Sequence, residues 1–286
     1  MGTLDSTAQL LGRITNQLSS RLCHVGQGGG RTTVPAPTLV LSAHGSRDPR
    51  TLATVRSLLD SVRALRPGLP VGLGHVELNE PLLPDTLAQL APGRAVLVPL
   101  LLGRGYHVKH DLPAAAATAP HLDTRIAAPL GPHPLLVDAL HARLVEAGWP
   151  AGERAGSAAL RRSAGVVLAA AGSRDPKGLA DTRSTAVALA DRLGVPVVAA
   201  FASAASPTVS AAVRSLAARG RYRVAVASYF TAPGYFATQC AAAAPGLASA
   251  PLGTHPALAE LVLRRYDEAV GAFVRPGSAP LQLASA

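Results

Sequence analysis

Three side chains able to bind a metal or carry a proton follow predicted strands in the first half of the chain: His44, Glu77 and His107. His44 comes just after an apolar run, Glu77 near the end of the second predicted strand, and His107 in the loop after the third. Because the carboxyl ends of parallel strands meet at one edge of a sheet, we expect these side chains to converge there. Two imidazoles and a carboxylate suit a borderline divalent ion such as Fe²⁺, Co²⁺, Ni²⁺ or Zn²⁺, and they leave coordination positions open for chemistry.

The elements that must position these residues alternate between short apolar strands and amphipathic helices. Strands are predicted at 38–43, 71–78, 95–102 and 125–130, and helices after Pro81, Asp111 and His133. Between the first two strands, apolar residues recur at the spacing of one helical face: Leu52, Val55, Leu58, Leu59, Val62 and Leu65. Such alternation with short connections predicts an α/β fold with a parallel sheet and helices on both faces.

The chain contains an internal repeat. The heptapeptide AHGSRDP at 43–49 returns as AAGSRDP at 170–176, GYH at 105–107 as GYF at 234–236, and LGPHP at 130–134 as LGTHP at 252–256. The three pairs occur in the same order at nearly the same separation, so the chain is predicted to contain two similar α/β lobes. Residues 38–148 form the first lobe and residues 164–274 the second, with a linker at 149–163.

The two halves differ where chemistry is expected. His44 aligns with Ala171, Glu77 with Ser203 after one residue of slip, and His107 with Phe236. The shared Gly-Ser-Arg-Asp-Pro stretch suits a structural task, since Gly permits a tight turn, Ser or Asp caps a helix and Pro opens one. His133 and His255 occupy matching positions and are predicted to begin helices. We therefore expect a metal site in the first lobe only.

The two ends of the chain lack the pattern of the lobes. Residues 1–37 end in a Gly-rich stretch and prolines and are predicted to be a flexible extension, and residues 275–286 a loose tail. No signal peptide or membrane span is expected. Cys23 and Cys240 form no C-x-x-C pair, so neither a disulfide framework nor a thiolate metal site is indicated. We expect a cytoplasmic protein.

The chain is basic, with a formal charge of +10. The arginines are scattered and aromatic residues are only 3% of the chain, so the pattern argues against a nucleic-acid partner. An anionic small substrate accounts for the same charge.

Several motifs together carry a family resemblance. They are the strand leading to HGSR at 44–47, the run VELNEP at 76–81, and PLLL at 99–102 continuing through GYHVKHDLP at 105–113. With them the chain resembles the sirohydrochlorin chelatase family. The resemblance implies two α/β lobes with the tetrapyrrole in the cleft between them, and insertion of Fe²⁺ or Co²⁺, or of Ni²⁺, into sirohydrochlorin during sirohaem or cobalamin biosynthesis. It also implies that His44 and His107 handle the metal with help from Glu77.

The same resemblance indicates how an anionic tetrapyrrole is bound. Ser46, Arg47, Arg104 and Lys109 flank the expected site and are candidates for contacts to the substrate's carboxylates. His110 is a less favoured additional ligand, since its position fits a helix cap better. No tightly bound cofactor is expected, the metal being a substrate, and the protein is expected to be a monomer or a homodimer.

Two other functions fit the same residues. A non-catalytic carrier of metal or tetrapyrrole would use the same cluster, and a metal-dependent hydrolase would use the ion to activate water. The sequence does not say which of His44, His107 and Glu77 is a base and which is a ligand.

Overall fold

A computed structural model describes residues 35–151 and 157–274, and all helices and strands below lie within the compact unit Pro37–Ala286. The first half has four strands, β1 (Thr38–Ala43), β2 (Val71–His75), β3 (Gly93–Pro99) and β4 (Leu122–Ile126). Its helices are α1 (Pro49–Leu65), α2 (Leu83–Ala88), α3 (Leu112–Ala117) and α4 (Pro134–Glu146), and a π-helical turn covers His107–Asp111. The strands are parallel in the order β2-β1-β3-β4.

The second half repeats this plan. After the short helix α5 (Ala158–Ser163) come β5 (Ala164–Ala170), α6 (Pro176–Leu193), β6 (Val197–Phe201), α7 (Val209–Ala218), β7 (Arg223–Tyr229), α8 (Tyr235–Ala242), β8 (Leu247–Ala248) and α9 (Pro256–Val274). These strands are also parallel, in the matching order β6-β5-β7-β8. The predicted fold of two similar lobes, each a parallel sheet flanked by helices, is confirmed.

The strand order fixes where a ligand is expected. The chain leaves β1 toward β2 and then crosses back to pair β3 with the other side of β1, which makes β1 and β3 the switch point of the first sheet. Open α/β sheets bind ligands in the crevice beyond the carboxyl ends of such strands. His44 follows β1 and His107 lies in the loop after β3, so both flank this crevice.

The repeated Gly-Ser-Arg-Asp-Pro stretch begins a helix in each lobe. Asp48 caps α1 by accepting a hydrogen bond from the backbone N–H of Arg50, and Pro49 occupies its first turn. Asp175 caps α6 in the same way. The capping role predicted for this stretch is therefore confirmed.

The last helix of each half packs on the other half. Helix α4 lies against α6 and β7, and helix α9 lies against α1, β3 and β4. Buried residues of both halves consequently belong to one continuous apolar cluster, which includes Leu39 on β1, Leu140 on α4, Leu168 on β5 and Leu261 on α9. The two lobes therefore share a hydrophobic core.

Several observed boundaries differ from the predicted ones, and others lie outside the described residues. The strand expected at 125–130 begins at Leu122 and ends at Ile126, and the 149–163 linker contains helix α5. Nearly all of the predicted 1–37 extension, and the 275–286 tail, lie outside the described residues. Within the part of the chain that is described, no helix is long and apolar enough to cross a membrane.

Candidate active site

His44, Glu77 and His107 meet at the switch point of the first sheet. The His44 Nδ1 lies 3.5 Å from the Glu77 Oε1. The imidazole rings of His44 and His107 are in edge contact, with centroids 4.5 Å apart and planes at 84°. The structure thus brings together the three residues that the sequence selected.

The loop after β1 lies directly against the loop after β2. The backbone N–H of Glu77 donates a hydrogen bond of 3.0 Å to the His44 carbonyl. Gly45 has a φ of +101°, and a Cβ there would lie 1.8 Å from the Glu77 carbonyl oxygen. The Asn79 side chain accepts a hydrogen bond of 2.7 Å from the Ser46 backbone N–H. Gly45 is therefore required for the close approach that places His44 beside Glu77.

His107 has a carboxylate partner that sequence reasoning did not identify. Its Nδ1 lies 2.5 Å from the Asp111 Oδ2, across one turn of the π-helical segment. An i, i+4 spacing was the available signal, but it brings two side chains together only if the intervening residues are helical. Carboxylates that hydrogen-bond one ring nitrogen of a histidine fix its tautomer and orientation.

Each imidazole therefore has its Nδ1 directed at a protein oxygen, the His44 Nδ1 also lying 3.3 Å from the Gly45 carbonyl. This leaves the Nε2 atoms of His44 and His107 to bind a metal or a proton. Among residues 35–151 and 157–274, no three His, Cys, Asp or Glu side chains are already arranged to hold an ion. The metal-ligand role of His44, His107 and Glu77 stays a prediction.

A cleft of about 970 Å³ opens beside His44. The first lobe contributes the start of α1 and the Leu78–Asn79 turn, and the second lobe contributes the 230–238 segment. Tyr235 and Phe236 face it from the second lobe with their ring centroids 5.6 Å apart. Tyr235 is 70% exposed, and a cleft with exposed aromatic side chains suits a large, flat ligand.

The second lobe keeps the same loop geometry without the chemistry. The backbone N–H of Ser203 donates a hydrogen bond of 3.0 Å to the Ala171 carbonyl. Gly172 has a φ of +98°, and a Cβ added there would lie 1.9 Å from the Ser203 carbonyl oxygen. These contacts establish the pairing of His44 with Ala171 and of Glu77 with Ser203. Ala171 has no side-chain donor, and the Ser203 hydroxyl donates to the Ala171 carbonyl.

Of the four predicted substrate contacts, Arg104 and Lys109 are paired with acidic residues, whereas Ser46 and Arg47 line the cleft. Arg104 forms a bidentate pair with Asp181, and the Lys109 Nζ lies 2.5 Å from the Asp175 Oδ2, so both cations are engaged by acids of the second lobe. Ser46 lines the cleft but accepts a hydrogen bond from the Asp48 backbone N–H.

The other predicted cation, Arg47, lies on the cleft wall and is exposed. It has no ion pair with any residue that the structure describes. Of the three predicted cations, only Arg47 is thus free to meet a substrate carboxylate.

One further histidine lines the cleft. His75 ends β2, is 1% exposed, and has its Nδ1 3.2 Å from the Pro81 carbonyl oxygen. Burial lowers the pKa of His75, so its ring is neutral near pH 7. Sequence reasoning did not select His75, because its position directly beside Ala43 in the sheet is revealed only by the strand register.

Two more histidines have structural tasks. His133 caps α4 by accepting from the Leu135 N–H, and the His255 Nδ1 accepts from the Ala257 N–H at the start of α9. Burial lowers the pKa of each, which keeps the ring able to accept. Their predicted role at helix starts is confirmed. His110 lies within the π-helical turn and its ring contacts Tyr106, at a centroid distance of 4.6 Å.

Comparison with known proteins identifies relatives of both halves. The model of the CbiX family matches residues 38–147 and again 165–269. The sirohydrochlorin cobaltochelatase of Methanococcus aeolicus is 35% identical over 78 residues, which are 26% of this chain and 54% of the relative. The corresponding protein of Methanopyrus kandleri is 31% identical over 88 residues, covering 30% of this chain and 62% of the relative. The matched stretches thus span little more than half the length of these relatives.

Solved structures share the two-lobed architecture. SirB from Bacillus subtilis with Fe³⁺ superposes with a TM-score of 0.67 at 23% identity, over 84% of this chain and 98% of SirB. CbiX, described as the terminal enzyme for biosynthesis of siroheme in denitrifying bacteria, superposes with a TM-score of 0.60 at 22% identity, over 81% and 99% of the two chains. At such identities the likeness concerns the fold.

Proposed function

Because the chain belongs to the CbiX family, we propose that it inserts Co²⁺ or Fe²⁺ into sirohydrochlorin, with its chemistry at His44 and His107. One observation carries the proposal. Two imidazoles in ring contact, one beside the Glu77 carboxylate and the other beside Asp111, lie at the switch-point edge, and that of His44 lines a cleft to which both lobes contribute. Such an arrangement suits an ion that must be held weakly and then released.

The cleft accounts for binding of the ring. Its volume of about 970 Å³ is at the upper end of the range typical of small-molecule sites. Tyr235 and Phe236 offer apolar faces from the second lobe, and the exposed Arg47 offers a guanidinium to the carboxylates at the rim. The second lobe, which has no metal-competent side chain at the three positions matching His44, Glu77 and His107, thus serves to cover the ring and exclude water.

Insertion requires that the pyrrole N–H protons leave as bonds from the ring nitrogens to the metal form and bonds from the metal to the protein break. The Nε2 atoms of His44 and His107 hold the ion or accept a proton. Glu77 is half exposed and lies 3.5 Å from the His44 Nδ1, so its charge stabilises His44 after His44 has accepted a proton, and its carboxylate passes that proton to solvent. The Asp111 carboxylate, 2.5 Å from the His107 Nδ1, stabilises a protonated His107 by its charge.

The test is an anaerobic insertion assay with sirohydrochlorin and Fe²⁺, Co²⁺ or Ni²⁺ in parallel, followed by the change in the tetrapyrrole absorption spectrum. We expect catalysed insertion of Co²⁺ or Fe²⁺ well above the rate without protein. A chain that binds ion and ring but leaves the rate unchanged would be a carrier, which would refute the proposal.

A further inference from the structure

The loop that carries His107 is held by the second lobe at three points. The buried Tyr229 hydroxyl donates to the Leu102 carbonyl at 3.1 Å. Asp181, on α6, accepts hydrogen bonds from the Arg104 backbone N–H at 3.1 Å, from its Nε at 2.9 Å and from its Nη2 at 2.5 Å. The Lys109 Nζ contacts Asp175, the cap of α6, at 2.5 Å.

Of the two ionic contacts, the one with Asp181 involves the more buried carboxylate. Its side chain is 4% exposed, whereas that of Arg104 is 47% exposed. A carboxylate so well buried requires its partner, because an unpaired charge there would be costly. Since Asp181 binds the backbone as well as the guanidinium of Arg104, it fixes the path of the chain only three residues before His107.

The matching loop of the second lobe is attached more weakly. Pro233 and Thr238 stand where the first lobe has Arg104 and Lys109, so no charge is available there. That loop contacts the first lobe through the Pro233 carbonyl, which accepts from the Thr51 hydroxyl at 2.6 Å. The ionic attachment is therefore confined to the loop that bears a histidine.

The helix facing the loop is shaped for this contact. Gly178 on α6 takes the place of Thr51, and a Cβ there would lie 2.1 Å from the Arg104 carbonyl oxygen. Helix α6 is therefore able to approach the loop closely enough for Asp181 to reach the Arg104 backbone.

From these contacts we infer that Asp181 and Asp175 are positioning residues for His107. The second lobe, which has Ala171, Ser203 and Phe236 where the first has His44, Glu77 and His107, thereby orients a metal-competent side chain of the first lobe. Arg104 and Lys109 then act as anchors of the loop and leave the substrate's carboxylates to other groups. The inference rests on the proposed function in taking His107 to be the metal-handling or proton-accepting group of the loop.

The experiment uses the full chain with Asp181→Asn and Asp175→Asn. Asn is a good N-cap, so Asp175→Asn retains the cap of α6 while losing the ion pair with Lys109. The matched control is Asp267→Asn, since Asp267 on α9 also makes a bidentate pair with an arginine, Arg66 at the end of α1, far from the site. All four proteins have equal length, and each variant changes the same charge.

Three readouts are compared. Hydrogen–deuterium exchange of the 103–111 peptide is expected to quicken about tenfold or more in Asp181→Asn, less in Asp175→Asn, and not at all in the control. In Asp181→Asn the dissociation constant for Co²⁺, measured by visible absorption, is expected to rise about tenfold. In the same variant the turnover number for insertion is expected to fall about tenfold to a hundredfold, while the Michaelis constant for sirohydrochlorin stays within about twofold of the wild type.

The outcomes separate this inference from the proposed function. A raised Michaelis constant with unchanged exchange and turnover would show that Arg104 and Lys109 bind substrate, and would overturn the inference. So would faster exchange of the 103–111 peptide with Co²⁺ affinity and turnover at wild-type levels. If the wild type itself inserts no metal, the proposed function fails, and peptide exchange with Co²⁺ affinity still decides whether Asp181 orients His107.

Discussion

Replacing Gly45 by Ala should disable the site without removing any side chain that does chemistry. The added Cβ would meet the Glu77 carbonyl oxygen at 1.8 Å, whereas real Cβ atoms stay more than 3.0 Å from other heavy atoms. The two loops must therefore separate by more than 1 Å. That displacement would break the 3.5 Å contact between His44 and Glu77.

The magnitude has two parts. Ala at a φ of +101° together with the displaced loop is expected to destabilise the fold by about 2–4 kcal/mol, lowering Tm by about 5–15 °C. Misplacing a reacting group by about 1 Å is expected to cost about a hundredfold in kcat/KM for insertion. The assay measures kcat/KM at a temperature well below the Tm of every variant.

The second lobe supplies the control. Gly172→Ala creates the same clash, 1.9 Å from the Ser203 carbonyl oxygen at a φ of +98°, in a loop without metal-competent side chains. It should lower Tm to a similar extent and lower kcat/KM about tenfold at most, because that loop leads to Asp175, which positions His107, but contains no reacting group. Equal loss of activity in the two variants, or near-native activity in Gly45→Ala, would show that the close approach at Gly45 does not position His44 and Glu77.

Further outcomes follow from individual side chains. His44→Ala and His107→Ala should each lower the insertion rate about a hundredfold or more with the far-ultraviolet circular dichroism unchanged, and Glu77→Gln should slow insertion with less effect on Co²⁺ affinity. Arg47→Ala should raise the Michaelis constant for sirohydrochlorin with little effect on the turnover number. Added salt should reduce the difference in Michaelis constant between this variant and the wild type. Burial raises the pKa of Asp181, but its hydrogen bonds from the neighbouring guanidinium and backbone outweigh this and lower it overall. Because the pKa of Asp181 is lower in the folded than in the unfolded chain, its ionised form stabilises the fold at pH values above the unfolded-state pKa, and this stabilisation is lost on acidification. Denaturant titrations should therefore show that the difference in unfolding free energy between the wild type and Asp181→Asn decreases below about pH 4.

Much of the fold was predictable because its signals are local. Strand β1 was predicted at its observed bounds since a mainly apolar run at 38–43 precedes a turn glycine. The repeat disclosed two lobes, and the parallel sheets then dictated that the ends of β1, β2 and β3 meet at one edge. The proximity of His44, Glu77 and His107 follows from that topology.

What the sequence did not disclose depends on packing between the halves. The apolar faces of α4 and α9 show that each helix is buried, but not that each packs on the sheet of the other half. For the same reason the loop charges of Arg104 and Lys109 resembled substrate contacts, since their partners lie on a helix more than sixty residues away in sequence.

Whether the first lobe alone handles the metal can be decided by X-ray diffraction at the cobalt edge from crystals soaked in Co²⁺. We expect one anomalous peak per chain, within bonding distance of the Nε2 atoms of His44 and His107, at about 2.0–2.2 Å. Ala171 and Phe236 offer no metal donor at the matching place in the second lobe. A peak of equal height beside those two residues, or a cobalt ion bound away from both histidines, would contradict this expectation.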